Sequence, residues 1–244
     1  MVVVGAMLVS HPVASQVLVA VAANFSAPMK VIAAEFERDT AHRVKLSFGS
    51  TGQFYTQIKN GAPYDVLLAA DATTPARLED DGIAVAATRF TYAIGHLVLW
   101  SRDADMITNS ADVLRADRFN KLALANPKLA PYGAAALETI ERMGLRQALA
   151  PKMVQGQNIA QTFQFVASGN AQLGFVALSQ VIAVDGFVAG SGWIVPADYH
   201  SPIKQDAVLL KAGQDNEVAK VLLSYLQTDK VKQLIESFGY QVPQ

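Results

Sequence analysis

Small hydroxyl and amide side chains recur where apolar runs give way to helical patterns: Asn24 and Ser26, then Ser50 and Thr51, then Tyr132-Gly133, then Asn158. Such turns expose helix N-termini, whose unpaired N–H groups and positive dipole ends attract anions. Lysine and arginine are almost absent from these positions. The chemistry implied is capture of a desolvated oxyanion by neutral donors, each such bond to an ionised acceptor contributing about 1.5–3 kcal/mol. Asn, Ser and Thr are also the preferred helix caps, so any one of them alone is more often a cap than a ligand. The turn Gly49-Ser50-Thr51-Gly52 is the most specific, because two glycines let a backbone approach a ligand closely.

Motifs for covalent or acid–base chemistry are missing. The sequence contains no Gly-x-Ser-x-Gly, no Gly-x-Gly-x-x-Gly, no Walker-type loop and no His-Glu-x-x-His. Glu79-Asp80-Asp81 reads as a solvated helix end, Asp65 and Asp71 as strand flanks, and His42 as part of a polar turn. His96 and Trp100 fall in an apolar stretch, where core packing is the default. Cysteine is absent, which removes thiolate catalysis, disulfides and Cys-based zinc sites together. The histidines at 11, 42, 96 and 200 are too dispersed for a local metal pair. Twenty Lys+Arg against 21 Asp+Glu leaves a net charge of −1, without the basic excess of a nucleic-acid binder. The chain reads as a binder, with no catalytic residue, no cofactor and no direct cation ligand.

The elements that must position these turns follow from periodicity. At 51% hydrophobic and 17% charged, 244 residues suffice for one large domain or two lobes. Val17–Ala23 is a continuous apolar run, as in a parallel strand covered on both faces. Pro28 suits a helix's first turn, and Met29, Ile32, Ala33 and Phe36 form its buried stripe. Strands are expected at Val44–Phe48, Asp65–Ala70, Lys121–Asn126, Gln172–Leu178 and Ile203–Leu210. Helices are expected at 53–60, 73–82, 133–143, 158–167, 215–227 and 229–238. This alternation predicts an α/β protein with parallel sheets. Two extended segments, near 90–101 and 200–210, are candidate crossovers between lobes.

The first lysine or arginine is Lys30, and the apolar run Met1–Val9 is followed by small residues through Ser15. That pattern matches the core and cleavage site of an export signal, although its basic leader is missing. The alternative is an N-terminal strand with an unstructured leader.

The landmarks Ala22-Ala23-Asn24-Phe25, Ser47-Phe48-Gly49-Ser50-Thr51, Gly61-Ala62-Pro63-Tyr64-Asp65-Val66 and Ala70-Asp71 occur in that order. They are followed by Asn126-Pro127, Pro131-Tyr132-Gly133, Asn158-Ile159, Gly174-Phe175-Val176 and Phe238-Gly239-Tyr240. From about Val17 to Val242 the chain resembles the periplasmic molybdate-binding proteins of ABC importers. The resemblance implies a two-lobed periplasmic binding protein of type II-like architecture, each lobe a mixed, mostly parallel sheet flanked by helices. On that frame residues 1–15 are the remnant of a signal peptide, 16–93 with 203–244 form lobe 1, and 94–202 form lobe 2. One tetrahedral dianion, molybdate or tungstate, is clamped in the cleft and passed to a membrane permease by an exported, soluble, monomeric carrier.

Carried over by position, the resemblance assigns ligand roles to Asn24 through side chain and main-chain N–H, Thr51, Tyr132 and the N–H of Ile159. Ala23, Ser26 and Ser50 are their neighbours, and the two serines either contact the oxyanion or cap helices. One departure stands out: where some members place a ligand tyrosine after the Gly-x-Val strand, this chain has Ala177, and Tyr132 would supply the hydroxyl instead. The competing readings are a carrier of another oxyanion such as sulfate, an α/β enzyme acting on a phosphate-bearing substrate, and a ligand-sensing domain.

Overall fold

The computed structural model describes residues 16–243 apart from 109, 117, 184 and 185; the expected export signal at 1–15 lies outside them. Two five-stranded sheets organise the chain. The first takes β1 (Gln16–Ala22), β2 (Arg43–Gly49), β3 (Val66–Leu68), β4 (Phe90–Gly95) and, much later, β12 (Ile203–Leu209), in the order β2-β1-β3-β12-β4. The second takes β5 (Leu97–Ser101), β6 (Leu122–Ala125), β7 (Met153–Gly156), β8 (Leu173–Ala177) and β11 (Ser191–Ile194), in the order β11-β5-β8-β6-β7. A short hairpin of β9 (Ile182–Ala183) and β10 (Gly186–Phe187) stands apart from both.

The two sheets share one plan. In each, three strands pair in parallel, β2-β1-β3 in one and β7-β6-β8 in the other. In each, the fourth position is filled antiparallel by a strand that has just crossed between the sheets, β12 in the first and β5 in the second. Each sheet is therefore mixed but mostly parallel: four strands run one way and only the crossover strand, β12 or β5, runs against them. The extended segment at 90–101 is two strands, β4 in one sheet and β5 in the other, with His96 alone between them.

Apolar side chains cover both faces of each sheet. Helix α1 (Ser26–Thr40) buries Met29, Ile32, Ala33 and Phe36, the expected stripe, although it starts before Pro28. It shares a core with α7 (Glu217–Leu226) and α8 (Asp229–Ser237), while α2 (Thr51–Lys59) and α3 (Thr73–Asp80) cover the opposite face through Phe54, Ile58 and Leu78. On the second sheet, α4 (Pro131–Arg142) packs Ala136 and Ile140 into one core, and short α5 (Arg146–Leu149) adds Leu149. Helix α6 (Ile159–Ala167) places Val166 against Val98 and Trp100 on the other side. Strands β7 and β11 have no counterpart in the periodicity: each is a four-residue edge strand with glycine and polar residues, too short to alternate. Among the described residues no helix is long and apolar enough to cross a membrane.

Candidate anion-binding site

Parallel register brings the important turns together. Ala22 at the end of β1 pairs with Gly49 at the end of β2, so the turns at Asn24 and at Ser50-Thr51 leave the first sheet side by side. Ala125 of β6 pairs with Gly156 of β7, so those at Tyr132 and at Asn158-Ile159 leave the second sheet side by side. Ligands in α/β proteins bind beyond these carboxyl ends. Here both pairs of turns enclose one cavity of about 10 Å³, walled by Ala22, Ala23, Asn24, Gly49, Ser50 and Thr51 from one lobe. Ala130, Pro131, Tyr132, Asn158 and Ile159 close it from the other, with Ala70 at its side. Among the described residues no charged side chain lines it.

The donors in this cavity are set by what their other atoms do. Ser50 caps α2, but its hydroxyl does not: the capping contact runs from the Ser50 N–H to Gln53 Oε1 at 3.2 Å. Ser50 Oγ is buried and, among the described residues, is the side-chain polar atom with no hydrogen-bond partner. Such an atom costs free energy unless an acceptor meets it. Thr51 Oγ1 accepts the Ala70 N–H at 2.9 Å, which leaves its own proton free to be donated. Pro131 opens α4, so the N–H of Tyr132 lies in a first turn where helices provide no acceptor. Asn158 caps α6 by accepting from Gln161 N at 3.0 Å, and the N–H of Ile159 follows as the first helical donor. Gln180 steadies that turn by donating to Ile159 O at 3.2 Å.

Asn24 is on the wall, but its amide protons face away from the cavity. Nδ2 donates to Gln205 Oε1 at 2.7 Å and to Tyr240 Oη at 3.0 Å. Ser26 is not brought to the site: its hydroxyl donates to Ala23 O at 2.6 Å, and it lines no part of the cavity. Ala177 is fully buried at the end of β8, with its N–H held by Gln180 Oε1 at 3.0 Å. Burial pushes the Tyr132 phenol well above its ordinary range and Tyr240 up to about 12, so both stay protonated.

The lobes touch around the cavity. Gly52 N donates to Leu129 O at 2.9 Å across the cleft, and a Cβ on Gly52 would stand 3.0 Å from Leu129 Cα. Ser179 Oγ donates to Asn24 O at 3.0 Å, and Gln205 Nε2 to Tyr132 Oη at 3.3 Å. Gln205 and Ser179 carried no assignment in the sequence. Gln205-Asp206 follow Lys204 as a polar run inside Ile203–Leu209, and two consecutive polar residues on one strand must face both sides of the sheet, a signal that something polar is buried there. Among the described residues no group of three or more His, Asp or Glu side chains is placed to hold a metal ion.

Comparison with known proteins identifies the family. Residues 17–241 match the model of the bacterial extracellular solute-binding protein family. The chain is 54% identical over 227 residues to the molybdate-binding protein ModA of Azotobacter vinelandii, covering 93% of this chain and 90% of that one. It is 48% identical to the ModA of Rhodobacter capsulatus, covering 93% and 88%. The solved structure of an Azotobacter vinelandii periplasmic molybdate-binding protein superposes with a TM-score of 0.91 at 38% identity, covering 93% of this chain and all of that one. Fold and sequence agree, and the chain belongs to the bacterial extracellular solute-binding protein family.

Proposed function

We propose that this protein binds molybdate, and tungstate with it, in the cavity between its lobes and delivers the anion to the permease of an ABC importer. The observation that carries this reading is the charge-free cavity in which helix N-termini from both lobes converge on an unpartnered buried hydroxyl, Ser50 Oγ. The names of the relatives support the choice of cargo. A tetrahedral dianion would accept from Ser50 and Thr51 and from the main-chain N–H groups of Asn24 and Ile159, with Tyr132 adding its hydroxyl or N–H. Ala23 contributes by being small.

Function is binding without chemistry: the cleft opens, admits the anion and closes because each lobe supplies donors. Selection between molybdate and the smaller sulfate would depend on the size of the cleft closed on the anion, and phosphate would be disfavoured where the site offers it donors only, because its protonated oxygen would lack an acceptor. The lobe limits 16–93 with 203–244, and 94–202, put the hinge near the crossovers; β4 of the first sheet runs on to Gly95, and His96 links it to β5. The reading includes export to the periplasm and action as a monomer.

Calorimetric titration of the ligand-stripped protein with molybdate, tungstate, sulfate and phosphate tests it. One-to-one binding of molybdate and tungstate, with no heat from phosphate and little from sulfate, is expected. Binding of sulfate alone would change the cargo, and heat from none of the four would sink the reading.

A further inference from the structure

Gln205 is fully buried on β12, beside the irregularity that shifts the register between β12 and β4. Its carboxamide connects both lobes without lining the cavity. Oε1 accepts from Asn24 Nδ2 at 2.7 Å and Nε2 donates to Tyr132 Oη at 3.3 Å, while Tyr92 Oη shares its one proton between Oε1 at 3.1 Å and Ala69 O at 3.0 Å. A phenol has one proton to give and lone pairs that accept. With Gln205 donating to its oxygen, Tyr132 keeps its proton for another acceptor, either the Tyr240 hydroxyl within hydrogen-bond reach or an anion in the cavity that Tyr132 lines. The phenol has little room to turn away, because a Cβ on Gly95 would stand 2.0 Å from Tyr132 Oη.

We propose that Gln205 is a positioning residue of the anion site: it holds Asn24 on one lobe and orients Tyr132 on the other so that Tyr132 presents a proton to the anion. The inference rests on the oxyanion-binding reading above. It gives the return crossover a part in selectivity, since a lone pair presented by Tyr132 would repel a dianion and welcome a protonated one. An ionised carboxylate in the place of this amide would accept the Tyr132 proton and add a negative charge behind the site. A protonated one would donate again. The groups facing the position are the phenols of Tyr92 from β4, Tyr132 from α4 and Tyr240 from the C-terminal segment, all raised by burial. Asp206, the next residue, is held by Arg89 at 2.7 Å, and Asp71 lies beyond.

The test is titration of wild type, Gln205→Glu and Gln205→Met with molybdate between about pH 6 and about pH 8.5, where the phenols do not titrate. Wild-type affinity is expected to vary by less than about threefold, and Gln205→Met to lose roughly tenfold at every pH. Gln205→Glu is expected to lose roughly 100-fold at high pH and to recover about tenfold as pH falls. Unaltered affinity in both variants, or a loss in Gln205→Glu that does not depend on pH, would overturn the role of Gln205 alone. A wild type that binds no molybdate would overturn the oxyanion reading together with it. Should Gln205→Glu not fold, a cycle with Tyr132→Phe decides: Gln205→Met is expected to add less than about twofold on that background, and independent, additive losses would contradict the proposal.

Discussion

Two cavities lie side by side in the cleft, and the proposed anion site is the smaller one. The wider space, about 450 Å³, holds Asp71, Lys128, Glu138 and Lys204, while the neighbouring cavity of about 10 Å³ holds no charge. Ala70, Ala130 and Pro131 line both, and the Gly52–Leu129 bond stands at the partition. In the wider space the carboxylates already have partners: Asp71 accepts from Thr74 N at 2.6 Å, and Glu138 from Ser201 N at 2.6 Å. Burial lifts the Asp71 carboxyl above its usual range, with Asp206 adding to the effect. The small cavity is lined instead by a buried hydroxyl without a hydrogen-bond partner, Ser50 Oγ, and by residues of the first turns of α4 and α6. Donors at helix N-termini, and not volume, therefore mark the proposed site.

The comparison is broken most severely at Gly95. A methyl group there would stand 2.0 Å from Tyr132 Oη and 2.7 Å from Gln205 Nε2, so closing the lobes requires displacing both. Overpacking of this kind costs about 1–3 kcal/mol, and molybdate affinity in Gly95→Ala is expected to fall roughly 10- to 100-fold by calorimetry. Ser50→Ala sharpens the contrast in another way. It removes a donor to an ionised acceptor, a loss of about 1.5–3 kcal/mol in binding, yet it also removes a buried hydroxyl without a partner. Weaker binding with an equal or higher Tm in the ligand-free protein is the expected pair of results. A lower Tm with full affinity would mark Ser50 as structural.

The smallest effect is expected in the wider cleft. Lys128 and Lys204 are exposed, and screened surface charge acts weakly at a distance. Lys128→Gln with Lys204→Gln should change the molybdate Kd by less than about threefold. A tenfold loss would show that the anion depends on these cations and that the neutral-donor account is incomplete.

How much of this was legible in the sequence differs between elements. The apolar run of β1, the buried stripe of α1 and the helix start at Asn158 were readable because one local cause decides each of them, whereas α4 begins at Pro131, two residues before the expected start. Strands β7 and β11 were not, since a four-residue edge strand is held by its neighbours more than by its own pattern. The same holds at the site. Ser50, Thr51 and Ile159 were identifiable as turn residues, and the structure places them on one cavity. Ser26 had the same sequence signature but satisfies its hydroxyl on Ala23, a choice made by local backbone geometry. The amide of Asn24 turns to Gln205 and Tyr240, 181 and 216 residues away in sequence, and no local pattern contains that information.

The most direct test of the central claim is a crystal structure of the protein with tungstate, with the anion located by its anomalous scattering. One peak is expected, in the small cavity within hydrogen-bond reach of Ser50 Oγ, Thr51 Oγ1 and the N–H of Ile159. A peak in the wider cleft, among Asp71, Lys128, Glu138 and Lys204, would contradict the claim that neutral donors at converging helix N-termini make the site.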